Sequence, residues 1–276
     1  MTRSQTRYST GIIRHLLLLP TTIFALAPFV WMLSLSFKSR AEMFASSIDL
    51  VPEWSAVLHN YGAAFTDVPM LRFIGNGIFV CAAILVLQIA LAAPCAYALA
   101  KHRFMGKSVL FLLVVVALMI PPQILAIPLF VALYSTGLLD TYAALILPSA
   151  ISPFAIFLLT QTFRTIPDEL VHAARLDGLS ELSIVWRIMM PAAAPSIVAF
   201  AILSVVSHWN DLFWPLIAIQ DQKLATPPLG VVFFRNQESG DDYGPLMASA
   251  VIIVTPLIIA FLSAQKRFVR GLTHAH

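Results

Sequence analysis

Residues 74–99 read IGNGIFVCAAILVLQIALAAPCAYAL, twenty-six positions without one charged side chain. As an α-helix rising ~1.5 Å per residue, the run is about 39 Å long, more than the ~30 Å of hydrocarbon in a bilayer. So long an uncharged surface predicts a membrane span. Five further apolar runs flank it, at about residues 16–37, 109–133, 142–163, 192–219 and 244–264. The fold class is therefore all-α, a polytopic membrane protein with six transmembrane helices. Pro94, Pro128, Pro153 and Pro256 fall inside these runs and are expected to be tolerated, because neighbouring helices can satisfy the carbonyls they free.

Composition agrees. Hydrophobic residues make up 59% of the 276-residue chain and charged residues 11%, against roughly a quarter charged in soluble domains. A net charge of +3 could suggest nucleic acid. The basic residues instead sit between apolar runs and form no patch interleaved with aromatics. They read as topology signals. With the N-terminus inside, Arg3, Arg7, Arg14, Lys101, Arg103, Lys107, Arg164, Arg175, Arg187, Lys266, Arg267 and Arg270 face the cytoplasm, twelve of the seventeen Lys and Arg. That bias predicts both termini in the cytoplasm. The expected organisation is one membrane domain over residues 16–265, between cytoplasmic tails at 1–15 and 266–276.

Arg3, Arg7 and Arg14 precede an apolar run containing Ala25-Leu26-Ala27, the pattern of a cleavable signal peptide. The run extends from Leu16 to Phe37, 22 residues, and Pro28 follows the cleavage point directly. An uncleaved first span is expected. Cys81 and Cys95 lie on one helical run about 21 Å apart, beyond disulfide reach. No His/Cys spacing suggests a metal site, and His274 and His276 read as a solvated tail.

The polar interruption at about 164–191 carries the most information. Ile166-Pro167-Asp168-Glu169-Leu170 opens a helix with acids at its positive dipole end, Arg175 lies near its close, and Gly178 supplies a stop. Ser180 can cap a second helix. The segment is amphipathic, with Leu170, Ala173, Ala174 and Leu176 available for packing and Asp168, Arg175 and Glu181 for water or a partner. It is built as a docking element.

Several chemistries lack their residues. Gly106-Lys107-Ser108 suggests a phosphate-binding loop, but position 101 is Lys where the loop needs its first glycine. An ion-driven carrier would place acids in several spans, and Asp211 is the lone acid here, free to cap, to line a vestibule or to bind an ion. There is no G-x-S-x-G, no intramembrane aspartate pair and no H-E-x-x-H, so no catalytic residue is assigned.

The stretch Ile166 through Gly178, followed by Ile188-Met189-Met190-Pro191 and Pro195, resembles the EAA loop of permease subunits in ABC importers. Asn60-Tyr61, Ala96-Tyr97-Ala98-Leu99-Ala100, Met119-Ile120-Pro121-Pro122-Gln123, Trp209-Asn210-Asp211 and Gln265 through Leu272 extend the likeness over most of residues 60–272. The chain is similar to the carbohydrate-uptake branch, the MalG-like second permease of maltose-type and glycerol-3-phosphate-type importers, inner-membrane components of binding-protein-dependent transport. This resemblance implies a type I importer (MetI-like) permease fold in the bacterial inner membrane. It implies a homologous second permease, two copies of an ABC ATPase holding ATP and Mg, and an extracytoplasmic solute-binding protein, with no cofactor, metal or nucleic acid on this chain.

Carried onto this sequence, the resemblance gives Pro167, Glu169, His172, Ala173, Ala174, Asp177 and Gly178 as ATPase-coupling residues. Two departures stand out. His172 replaces the usual glutamate, and it either alters a contact to the ATPase or packs in its cleft. Gly77 follows Asn76 where the family often has serine. Asn76, Gln123, His208, Trp209 and Asn210 are candidates for the substrate path, because polar and aromatic side chains in apolar spans can face a wet channel. Interhelical hydrogen bonding or interfacial anchoring explains the same residues. The expected solute is a sugar or sugar derivative, with an anionic polyol such as glycerol-phosphate as the alternative and a scaffold without transport as the rival class.

Overall fold

The computed structural model describes residues 3–43, 54–66, 69–237 and 243–273. His274 and His276 lie outside the described residues, as do the side chains of Arg3, Arg7, Arg14, Lys266, Arg267 and Arg270. In chain order the helices are α1 (Arg3–Ser36), α2 (Arg40–Met43), α3 (Trp54–Thr66), α4 (Met70–Lys101), α5 (Lys107–Ala117), α6 (Ala126–Ser135), α7 (Tyr142–Ile146), α8 (Pro153–Thr165), α9 (Asp168–Leu176), α10 (Glu181–Ile184), α11 (Met190–Ala192), α12 (Ala194–Trp209), α13 (Phe213–Ala218), α14 (Pro227–Gln237) and α15 (Tyr243–Thr273). A π-helical turn, Val185–Met189, joins α10 to α11. Among the described residues there is no strand.

Three helices are long and apolar enough to cross a membrane unbroken, over Leu18–Ser36, Met70–Lys101 and Tyr243–Ala260. Two of the other expected spans are broken, and the start of the third is met at an angle by the end of the 164–191 segment. Lys107–Ala117 meets Pro122–Ser135 at 95°, Tyr142–Ser149 meets Pro153–Thr165 at 41°, and Glu181–Ala192 meets Ala194–Trp209 at 84°. Counting each pair once gives six.

Proline explains where the breaks fall, since it lacks an N–H and clashes with the preceding turn. Pro121 is extended, with ψ 129°, and Pro122 opens a short 3-10 turn, so the run at 109–133 cannot stay one helix. Pro153 does not sit inside a span as expected. It starts α8, where Ser152 caps the helix by accepting from the Ala155 N–H at 3.2 Å. Pro128 occupies the first turn of α6. Pro94 and Pro256 remain inside α4 and α15. The run at 192–219 is α12 followed by the separate α13, because the helix ends at Trp209.

The chain forms two compact units. In the unit of residues 1–70 and 234–255, Asn60 donates to the Ser36 and Lys38 carbonyls, both at 3.0 Å, and ties α3 to the end of α1. A side chain at Gly244 would meet the Asn60 Oδ1 at 2.5 Å, so glycine permits α15 to approach. Most of α1 is exposed, with Phe24 at 83%. In water such a face would aggregate, whereas in a bilayer it meets lipid.

The unit of residues 71–233 and 256–276 holds the larger core. Ala92, Ala93 and Ala96 of α4 meet Ala155, Leu159 and Phe163 of α8, Ile184 and Met189 around the π turn, and Phe200 of α12. The alanines of α4 let the larger side chains of its neighbours approach closely, the van der Waals contact from which membrane helices gain. Val171 and Ala174 of the short α9 belong to this same core.

Candidate functional site

The α9 helix begins after Pro167, whose extended backbone holds the N-cap position. Asp168 and Glu169 fill the first turn and Arg175 the last, each complementing the helix dipole. The helix ends on Gly178 in the left-handed conformation, φ +79°. Gly178 N–H bonds to the Arg175 carbonyl and Leu179 N–H to the Ala174 carbonyl, both at 3.0 Å, the Schellman arrangement. A nine-residue helix is thereby fixed at both ends.

Its two faces differ from the sequence expectation. Val171 and Ala174 are the buried residues, while Leu170, Ala173 and Leu176 are exposed, Leu176 at 89%. Of the seven coupling candidates, Pro167, Glu169, His172, Ala173, Asp177 and Gly178 are exposed and Ala174 is buried. The correction has a simple cause. Residues 171 and 174 share one face at i, i+3 spacing, and that face meets α4 and α8.

Asp168, Arg175 and Glu181, expected to serve water or a partner, are all engaged within the chain. Asp168 pairs with Lys101 at 2.5 Å, and the same ammonium donates to the Ile166 carbonyl. The hydrogen bond from Lys101, then its charge, hold the Asp168 carboxyl below its ordinary value. Glu181 accepts from Arg175 at 2.8 and 3.2 Å and from the Tyr97 hydroxyl at 2.6 Å, and lies 3.2 Å from the His102 Nε2. The Arg175 bond, followed by the Tyr97 bond, pushes its carboxyl down to about 2. Tyr97 and His102, at or just past the end of α4, and Arg175 of α9 thus share one carboxylate. The pattern legible beforehand was Ala96 through Ala100 as a family motif; its contact with Glu181 was not.

Lys107, which a phosphate loop would aim at a nucleotide, donates to the Ala100 and His102 carbonyls at 3.3 and 2.9 Å. It closes the end of α4.

A second site forms where the broken spans meet. A cavity of about 320 Å³ is lined by Pro122, Gln123, Leu125, Leu129, Pro148, Ser149, Ser207, His208, Asp211, Phe213 and Trp214. Two of the five path candidates, Gln123 and His208, are in it. The His208 Nδ1 is 2.7 Å from the Ser204 carbonyl, which can only accept, so Nδ1 donates and Nε2 is left to face the cavity's other groups. Asp211 caps α13 by accepting from the Phe213 and Trp214 N–H groups at 3.0 and 3.4 Å through Oδ1. Gln88, absent from the sequence-based set, donates to the Ser149 carbonyl at 2.8 Å and accepts from Ser204 at 2.7 Å, bridging the cavity's walls.

The other three path candidates lie apart from the cavity lining. Asn76 is buried and donates to the Lys223 and Ala225 carbonyls, both at 2.9 Å, while accepting from the Tyr142 hydroxyl at 2.7 Å. Its amide hydrogens are spent on the fold. Trp209 is buried, and Asn210 is exposed and bonded back to the Val206 carbonyl at 2.7 Å. The departure at Gly77 has a cause: a Cβ there would lie 2.6 Å from Pro227 Cδ and 3.2 Å from the Trp209 ring. Among the described residues no cluster of three or more His, Cys, Asp or Glu is placed to hold a metal.

Residues 88–274 match the family described as binding-protein-dependent transport system inner membrane component. The arabinooligosaccharides transport system permease protein AraQ of Halalkalibacterium halodurans is 35% identical over 251 residues, 90% of each chain. The sn-glycerol-3-phosphate transport system permease protein UgpE of Yersinia pestis is 27% identical over 97% of this chain and 98% of its own. A crystal structure of a bacterial ABC transporter involved in the import of the acidic polysaccharide alginate superposes with a TM-score of 0.82 at 25% identity, covering 97% of this chain and 99% of that one.

Proposed function

From the premise that this chain belongs to the family of binding-protein-dependent transport system inner membrane components, we propose that it is the permease subunit of an ATP-driven importer for a sugar or sugar derivative. Its 164–191 segment couples it to a separate ATPase. The carrying observation is α9, a helix with Val171 and Ala174 locked into the core of the spans and Glu169, His172, Ala173 and Leu176 exposed opposite them. A push on the exposed face has no slack to absorb it, since packed cores transmit displacement.

The mechanism follows from those connections. Lys101 and the Glu181 junction tie both ends of α9 to the end of α4. When two ATPase copies close on ATP and Mg, α9 moves as a lever and α4 moves with it. The spans then rock between outward-open and inward-open states around the cavity at their breaks, which is alternating access. The chain contributes no catalytic residue. A homologous second permease completes the path, and a solute-binding protein delivers from the side opposite α9. Both termini and α9 lie in the cytoplasm and the six spans in the bacterial inner membrane, in accord with the Lys and Arg bias.

In a test, the chain is co-expressed with its neighbouring ATPase, second permease and binding protein in proteoliposomes. ATP-dependent accumulation of a saccharide is expected, lost when Ala173 is replaced by Arg on the exposed face. Uptake without ATP, or undiminished uptake by Ala173→Arg, would refute the coupling. Likeness to the glycerol-3-phosphate permease and to the alginate transporter favours a second reading, an anionic solute.

A further inference from the structure

We infer that the cavity at the broken spans takes a neutral, hydroxyl-rich ring and rejects carboxylate- or phosphate-bearing ones. This rests on the transport reading above and chooses between its two solute classes.

The lining decides it. Among the eleven lining residues there is one acid, Asp211, and no Lys or Arg. A site for an anion supplies guanidinium, ammonium or an open helix N-terminus. The N-terminus of α13, at the lining residues Phe213 and Trp214, is already occupied by the Asp211 Oδ1, and at that of α6 the Ala126 N–H is spent on the Gln123 carbonyl while Pro128 has none to offer. An anion entering here would shed water, find no guanidinium or ammonium, and approach the Asp211 carboxyl in a low-dielectric wall.

A neutral sugar meets the opposite situation. Asp211 keeps Oδ2 for a ligand, His208 keeps Nε2, and Gln123 and Ser207 make no side-chain hydrogen bond among the described residues. Sugar hydroxyls are donors that suit an acceptor-rich wall. Leu125, Leu129, Pro122 and Phe213 supply apolar surface for the C–H faces of a ring. The volume of about 320 Å³ is at the lower end of that of small-ligand sites, and fits one or two rings rather than a long oligomer at once. A chain of sugars would pass ring by ring.

The experiment uses the complete assembly in nanodiscs without binding protein, so that the permease's own preference is read. Equilibrium dialysis compares neutral pentose and hexose disaccharides with their uronate counterparts of the same linkage. Wild type should bind a neutral disaccharide at least tenfold more tightly than its uronate. Gln123→Lys, at an exposed position with no bond to lose, should narrow or invert that ratio. Asp211→Asn, which preserves the cap, should weaken the neutral ligand. A uronate preference in wild type, or a ratio unmoved by Gln123→Lys, overturns the inference. ATP-driven uptake of uronates would then leave the transport reading intact, whereas absence of ATP-driven uptake for both classes would remove that reading as well.

Discussion

Replacing Gly178 separates backbone geometry from surface chemistry at the coupling helix. At φ +79° this residue sits in the left-handed region, and a Cβ built there meets nothing within 4 Å. The penalty for a side chain is therefore conformational and not steric crowding. For an ordinary L-residue it is roughly 1–2 kcal/mol, and a β-branched one fares worse. Gly178→Val should abandon the turn, releasing the bonds to the Arg175 and Ala174 carbonyls, and under the proposed coupling that geometry must be restored whenever the ATPase docks. A cost of about 1–2 kcal/mol corresponds to about 5- to 30-fold weaker docking. Gly178→Asn presents a polar side chain at the same exposed spot but tolerates the left-handed conformation, so it should stay within about threefold of wild type. Biolayer interferometry of the purified ATPase on permease nanodiscs reads both, with protease mapping to show normal insertion. Equal weakening by Val and Asn would mean that contact chemistry, not turn geometry, governs docking.

Asn76→Ala strands the Lys223 and Ala225 carbonyls and the Tyr142 hydroxyl, and should cost about 2–4 kcal/mol; thermal unfolding in detergent that shifts by less than a degree would contradict the staple. Gly77→Ser forces a Cβ against the Pro227 ring, with an expected loss of about 1–3 kcal/mol, relieved in the Gly77→Ser, Pro227→Ala double variant. For Glu181 the folded pKa, about 2, lies below its ordinary 4.5, so its contribution is present above pH 4.5 and disappears as pH falls towards 2. The side chain is 47% exposed, and solvent screening holds the contribution to about 1 kcal/mol or less. The stability gap between wild type and Glu181→Gln should be flat from pH 8 to pH 5 and close below it; a gap that widens on acidification would reverse the sign.

The architecture was legible because apolar runs of 20 or more residues have few other uses, and the orientation reading needs only Lys and Arg. What escaped was continuity. Pro121 and Pro122 look like Pro94 in a hydropathy window, yet adjacent prolines remove two donors from one turn while Pro94 removes one. The Pro167-to-Gly178 helix was readable from its caps, and polarity in apolar surroundings singled out Gln123 and His208, which line the cavity. Asn76 met the same criterion and serves the fold, since one polar residue in a span looks the same whether its partner is solute or backbone. The Glu181 junction joins residues 84 positions apart in sequence, Tyr97 and Glu181, and no local pattern encodes that.

The breaks in the spans also bear on how the chain enters the bilayer. The limb Lys107–Ala117 has 11 residues, a rise of about 16 Å, roughly half the hydrocarbon depth. Neither it nor its partner limb can leave the insertion machinery as a stable span by itself. The two must partition as one apolar stretch and bend afterwards, once Gln88 and Ser204 are present to receive the polar groups of the neighbouring walls. The chamber, lined from Pro122 to Trp214, cannot close before the last of these residues is made.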